Sequence, residues 1–243
     1  MIIWTWMTNL FRWIILIGAL LFLVGWPMLR SLFDRHYSVH RFFLKMSKLI
    51  VRLSGVTLNV QGQQHIDPDQ SYIVTFNHFN AFDHFFLYGV LGLKMTGLEK
   101  EQHMKIPVYG RFMKIAGIIP IPQRGNTEKA LQGLERAKKK MREEGYSILI
   151  APEGTRCRDG KLGPFKKGAF YMAIQTGSPI LPVVYDKNMY TFFGRDRFIL
   201  RPCEVNLTIL PPISTNGINE NQVTQLRDEL RELYVEKTGE FYT

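Results

Sequence analysis

In the run Asn77-His78-Phe79-Asn80-Ala81-Phe82-Asp83, His78 can take up a proton near neutral pH, and Asp83 can hold one of its ring nitrogens. An imidazole with an ordinary pKa of about 6.5 is the usual general base at physiological pH, and a carboxylate bound to one nitrogen decides which nitrogen accepts the proton. Further along, Pro152-Glu153-Gly154-Thr155-Arg156 brings a guanidinium whose planar fork suits phosphate, beside a glycine that lets backbone approach a ligand closely. A lone histidine near an aspartate is ordinarily a structural pair. The second motif is what turns this pair toward chemistry, because it supplies an anion clamp to match the base.

Both motifs need particular elements to present them. On a regular helix, residues five apart point roughly 140° away from each other, so His78 and Asp83 meet only across an irregular turn. The flanks provide one. Ser71 to Phe76 reads as a buried strand, and the apolar run from Asp83 through Phe85, Phe86, Leu87, Val90 and Leu91 reads as a helix. His78 then lies in the strand-to-helix loop and Asp83 in the first helical turn. Tyr146 to Ile150 is a second strand, and it leads into the turn at Pro152 and a basic loop with Arg156, Arg158, Lys161, Lys166 and Lys167.

The rest of the chain alternates strand and helix, which predicts an α/β layered fold with a mixed sheet flanked by helices. Gly117 to Ile121 is an edge or terminal strand on account of its proline. Asn126 caps a following helix with an apolar face of Ala130, Leu131, Leu134, Ala137 and Met141, ended by Gly145. Gly168 to Thr176 is a short buried helix closed by Gly177, and Ile180 to Tyr185 and Glu204 to Leu210 are strands. A last helix, Glu220 to Lys237, turns Val223, Leu226, Leu230, Leu233 and Tyr234 inward.

With 243 residues, the chain is long enough for one sizeable domain plus an appendage. Residues 55–243 form the catalytic domain in this reading, and residues 1–54 form membrane-anchoring helices. Trp13 to Leu29 is an apolar stretch at the short limit for a bilayer span, extended by Ile2 to Leu10 and interrupted by Arg12. It lacks the early basic region and cleavage site of a secretory signal, and Trp4, Trp6, Trp13 and Trp26 suit an interfacial belt. Whether it spans the bilayer or enters a single leaflet stays open. Behind it, His36 to Leu53 is an amphipathic helix that either lies among headgroups or packs on the domain.

The net charge is +10, and half of the excess comes from Arg30, Arg35, Arg41, Lys45, Lys48 and Arg52 against Asp34 alone. A basic cluster next to an apolar anchor points to anionic membrane at the cytoplasmic face, not to nucleic acid. Cys157 and Cys203 are too few for a disulfide framework and lack zinc-site spacing. Cys157 has no partner that would make it a nucleophile.

Four blocks in order resemble the glycerolipid acyltransferases. They are Asn77-His78 to Asp83; Lys100 to Pro107, with Gly110 and on to Arg124; Pro152 to Arg156; and Pro179-Ile180-Leu181-Pro182-Val183-Val184. The resemblance spans Gly55 to Pro212. It implies direct transfer of an acyl group from acyl-CoA or acyl carrier protein to a lysophospholipid hydroxyl, most often that of lysophosphatidic acid, at the inner membrane of a bacterium. No cofactor or metal is implied. His78 would be the base and Asp83 its orienting partner. Arg156 would bind the acceptor phosphate with Lys100, with Lys105 its rival, and with Arg124, Gly154 and Thr155 beside them. Glu153 would order the same substrate-binding turn by pairing a basic neighbour. The sequence departs from the family pattern at Ala151 and at Gln102-His103, where Glu-Leu is commoner, and this leaves the acceptor less defined than the reaction. Alternatives are another lysolipid acceptor, a metal-dependent hydrolase using His78, Asp83, His84 and Glu153 as ligands, and a basic membrane scaffold without catalysis.

Overall fold

The computed structural model describes residues 2–34, 39–122, 127–157, 161–192 and 200–238. The elements in chain order are α1 (Ile2–Phe33), α2 (His40–Ser54), β1 (Val56–Gln61), β2 (Ile73–Phe76), α3 (Asp83–Leu91), β3 (Met95–Lys100), α4 (Tyr109–Ile115) and β4 (Ile119–Ile121). There follow α5 (Thr127–Glu144), β5 (Ser147–Ile150), α6 (Gly168–Thr176), β6 (Ile180–Tyr185), α7 (Asn188–Phe192), β7 (Cys203–Ile209) and α8 (Val223–Thr238).

The strands form one seven-stranded sheet in the order β1-β7-β6-β2-β5-β3-β4. Neighbours run parallel except for the antiparallel pair β6 and β7. It is the mixed, helix-flanked sheet that the alternation of elements predicts. Every residue of β2 and β6 is buried, as expected of central strands covered on both faces, and both read as nearly unbroken β-branched and apolar runs. Since β2 and β5 are adjacent and parallel, with Thr75 opposite Ile150, the loops that follow them leave at the same edge of the sheet. That register brings two motifs far apart in sequence to the carboxyl ends of neighbouring strands, where ligands of open α/β sheets bind.

Two strands escape the sequence reading. β1 alternates buried and exposed residues because it is an edge strand paired only to β7, and β3 ends in the charged pair Glu99-Lys100. The expected apolar face of α5 also needs correction. Ala130 and Leu131 are exposed, and Gly133, Ala137 and Met141 are the buried residues. The first turns of α5 run past edge strand β4, and Gly133 lies against Ile121 and the Pro120 carbonyl. Asn126 lies outside the described residues.

Of the two settings left open for the amphipathic helix, α2 occupies the packed one. Met46, Ser47, Ile50 and Ser54 are buried. Gly89 of α3 comes so close that a Cβ there would stand 3.4 Å from the Val51 side chain. In α1, Asn9, Leu16 and Leu23 recur at seven-residue steps as a buried stripe, while Phe11, Leu21, Leu29 and their neighbours are exposed. Asn9 Oδ1 accepts a hydrogen bond from the Leu200 N–H at 2.9 Å, and Trp13 packs on Phe82.

Between β3 and α4 the chain winds through a short 3-10 turn, Glu101–Lys105, and then a γ-turn centred on Val108. Val108 has φ 64° and ψ −56°, and the Tyr109 N–H donates to the Pro107 carbonyl at 2.7 Å. This is the rare, strained form of the turn, on a β-branched residue. Gly110 makes it possible to close the loop, because a Cβ at that position would fall 2.0 Å from the Met104 carbonyl oxygen. Gly110→Ala is expected to lower stability by about 2 kcal/mol or more, read from chemical unfolding in detergent. Unchanged stability would mean that the loop can shift to admit a methyl group.

Candidate active site

The end of β2 is prolonged by a side chain. Asn77 Nδ2 donates to the Tyr185 carbonyl at 2.8 Å, and Asn77 Oδ1 accepts from the Tyr185 N–H at 2.8 Å. The carboxamide thus extends the ladder with β6 by one step and sets the point where the chain leaves the sheet. Asn80 Oδ1 then accepts from the Phe82 N–H at 2.8 Å, an Asx turn that folds the loop back before α3 begins at Asp83. This irregular turn closes the angular gap that a helix would have left.

His78 Nδ1 lies 2.8 Å from Asp83 Oδ2. The same oxygen accepts from the Phe79 N–H at 2.6 Å and from the Asn80 N–H at 3.0 Å. Because a carboxylate only accepts, Nδ1 carries the ring proton and the lone pair is left on Nε2. The Asp83 side chain is fully buried, and that of His78 is 16 % exposed. The base therefore reaches solvent while its partner does not.

Glu153 corrects an expectation. Among the described residues it pairs with no basic side chain, and it is only 3 % exposed. Glu153 Oε1 accepts from the His78 N–H at 3.2 Å, and Oε2 accepts from the Gly163 N–H at 2.8 Å and from Cys157 Sγ at 3.1 Å. Burial raises its carboxyl above the usual range, against the opposing pull of these hydrogen bonds. Cys157 returns the link, its N–H donating to the His78 carbonyl at 2.6 Å. Burial, then the charge of Glu153, raises the Cys157 thiol far above its usual value, so it is no thiolate nucleophile.

Gly154 takes φ 65°, and Lys166 Nζ would come within 2.5 Å of a Cβ there, so the turn admits only glycine unless the lysine moves. Arg156, Thr155, Lys100 and Lys105 are exposed. Arg124 lies outside the described residues. Among the described residues no three His, Cys, Asp or Glu side chains gather as a metal site.

Four residues in this neighbourhood were not singled out as site residues of the transfer. Glu99 accepts from the Lys100 N–H at 2.8 Å, from Tyr109 Oη at 2.9 Å and from His103 Nδ1 at 2.8 Å. Burial pushes the Glu99 carboxyl up, but these donors together hold it below its usual range. Their signal was the i, i+4 spacing of Glu99 and His103, in the very block where the sequence departs from its pattern. His84 follows Asp83 on α3, and its ring stands 5.6 Å from that of His78. The charges of Glu99 and Arg156 both reach it, so one ring feels groups from the end of β3 and from the turn after β5.

A family model described as Acyltransferase matches residues 57–186, from β1 through β6. The chain is 29 % identical to the 1-acyl-sn-glycerol-3-phosphate acyltransferase of Limnanthes douglasii over 88 % of its own length and 73 % of that protein's. It is 30 % identical to 1-acyl-sn-glycerol-3-phosphate acyltransferase alpha of Mus musculus over 74 % of its own length, and spans 62 % of that relative. Among solved structures, the 1-acyl-sn-glycerophosphate acyltransferase of Thermotoga maritima shares the fold with a TM-score of 0.76 at 24 % identity, covering 97 % of this chain and 96 % of that one.

One electrostatic consequence is measurable. His84 is pulled from 6.5 down to about 4, by burial first and then by His78, with Arg156 adding and Asp83 and Glu99 opposing. Between those values the unfolded chain binds a proton at this site that the folded chain refuses. Stability therefore rises with pH through the window and is lost as pH falls from 6.5 toward 4. The unfolding midpoint of the wild type should drop across this range more steeply than that of His84→Phe; parallel curves would show that His84 titrates normally.

Proposed function

Because this chain belongs to the Acyltransferase family, we propose that it moves a fatty acyl group from a thioester to the sn-2 hydroxyl of lysophosphatidic acid, making phosphatidic acid for phospholipid biosynthesis. One observation carries the reading. The ring of His78 is aimed by Asp83 while both of its backbone groups are tied to the loop that bears Arg156.

The base and the anion clamp are thereby held in one frame. Arg156, with Lys100 and Lys105 as the further exposed cations, receives the acceptor phosphate, and this holds the hydroxyl within reach of His78 Nε2. His78 takes the hydroxyl proton as the oxygen attacks the thioester carbon, and Asp83 stabilises the imidazolium that forms. The tetrahedral intermediate collapses, the C–S bond breaks and the proton passes to the departing thiolate. No acyl-enzyme is required, since the thioester is already activated and the one thiol near the base is buried and protonated. The donor is acyl-CoA or acyl carrier protein, both anionic partners for a chain of net charge +10.

The N-terminal helix supports a membrane setting. Met7–Phe33 is long and apolar enough to cross a bilayer. Its packed side nevertheless follows the catalytic body from Asn9, through Trp13 against Phe82, to the buried Leu16 and Leu23. A crossing helix would carry those contacts into hydrocarbon. We infer that α1 lies along one leaflet at the cytoplasmic face of a bacterial inner membrane, with its exposed side in the acyl region. Each large side chain so buried contributes about 1.5–3 kcal/mol, so the row suffices for lasting attachment.

Three measurements test these readings. His78→Ala should lower turnover by about two to four powers of ten with the fold retained; full activity would remove His78 from the mechanism. Arg156→Ala should chiefly raise the KM for lysophosphatidic acid, and acceptors without a phosphomonoester should compete poorly with wild type. A change confined to donor KM would place Arg156 elsewhere. Replacing Phe11, Leu21 and Leu29 by serine should release the protein from floated anionic vesicles without changing its activity in detergent. Retention on the vesicles would mean that α1 is not the anchoring surface.

A further inference from the structure

We propose that His84 is a second catalytic imidazole, donating a ring N–H to the thioester carbonyl oxygen as that oxygen becomes an oxyanion. The inference rests on the acyl-transfer reading above. It begins from a requirement of that reaction: attack on a thioester places negative charge on the carbonyl oxygen, and something must donate to it.

Backbone amides commonly fill this role, but five amides of the two loops that meet at the base are committed. The N–H groups of Phe79 and Asn80 point at Asp83, that of His78 at Glu153, that of Cys157 at the His78 carbonyl, and that of Gly163 at Glu153. Arg156 is engaged by the phosphate in the proposed reaction. The His84 ring is different. It is partly buried beside the base, and among the described residues neither of its nitrogens has a hydrogen-bond partner.

Its placement is fixed. The rings of Phe76, His78 and His84 form a triangle with each pair of centroids 5.6 Å apart and each pair of planes near perpendicular. Phe76 ends the fully buried strand β2, so both imidazoles rest against an immobile wall. An oxygen bonded to a ring nitrogen lies about 4 Å from the ring centroid. Spheres of that radius around centres 5.6 Å apart overlap. One imidazole can therefore take the hydroxyl proton while the other donates to the carbonyl oxygen on the same tetrahedral carbon.

The charge state fits as well. Burial and the neighbouring His78 hold His84 neutral above about pH 4, so it offers one N–H without adding a second positive charge beside the imidazolium. Proton and electron accounts are unchanged: the O–C bond forms, the C–S bond breaks, the proton travels through His78, and His84 keeps its own.

The experiment uses the full-length enzyme in mixed micelles with lysophosphatidic acid and acyl-CoA, or acyl carrier protein if that is the donor used. His84→Phe should lower kcat by about 100- to 1000-fold, the range for loss of one oxyanion donor, with both KM values nearly unchanged. His84→Gln, whose amide restores a donor, should recover at least tenfold of that loss. A thioether analogue of the donor, which lacks the carbonyl oxygen, should bind wild type and His84→Phe alike. A phenylalanine variant as fast as wild type overturns the proposal. So does equal loss in both variants, or weakened thioether binding, since each assigns the ring a packing role. Absence of phosphatidic acid from wild type in the same assay would instead refute the reaction on which the proposal stands.

Discussion

Everything in the site hangs on His78 being held at three points. Asp83 holds its ring at 2.8 Å, Glu153 accepts its N–H at 3.2 Å and the Cys157 N–H meets its carbonyl at 2.6 Å. Only the first contact comes from its own loop. The other two come from the turn after β5, so the base has no fixed position until that turn has folded. A shift of about an ångström at a general base is costly to rate, so the second motif is structural for the first as well as a clamp for substrate.

That dependence explains the sheet order. Two loops can grip each other through main-chain groups only if they leave adjacent parallel strands at the same level, as the pairing of Thr75 with Ile150 ensures. β3 adds the third wall beyond β5, and Glu99 gathers Lys100, His103 and Tyr109 there into one rigid corner. The strained turn at Val108 sits at this corner, where it aims the loop carrying Lys105, and it persists because Gly110 lets the chain close behind it.

Much of this was legible because local pattern and tertiary role agree. The buried runs of β2, β5 and β6 read as strands, and the five-residue spacing of His78 and Asp83 requires the turn that Asn80 makes. Where pattern and role part, the reading fails for identifiable reasons. β1 is half exposed at a sheet edge, and Ala130 and Leu131 lie where α5 overhangs β4. Glu153 sits among arginines and lysines in sequence, so an ion pair was the natural expectation. Its actual partners are amides and a thiol, brought together by strand register that no spacing rule encodes. The apolar stretch of α1 likewise shows a membrane preference, but not the heptad-spaced stripe that docks it on the body.

Around the base, the neighbouring titratable groups are each set by burial and by what they touch. Asp83 faces the ring nitrogen directly. Burial raises Glu153, and the hydrogen bonds from Gly163, Cys157 and the His78 N–H, then the charge of His78, oppose that rise. His84 is pushed the opposite way, because burial and the same neighbour resist its protonation. Asp83 is thus the carboxylate in contact with the ring that becomes an imidazolium, while the adjacent imidazole of His84 stays neutral and does not oppose it. Replacing Glu153 with glutamine would keep the shape of the turn but place an amide donor where donors already point. The site would then lose either its bond to the His78 N–H or its bonds to Gly163 and Cys157, depending on which way the amide faces.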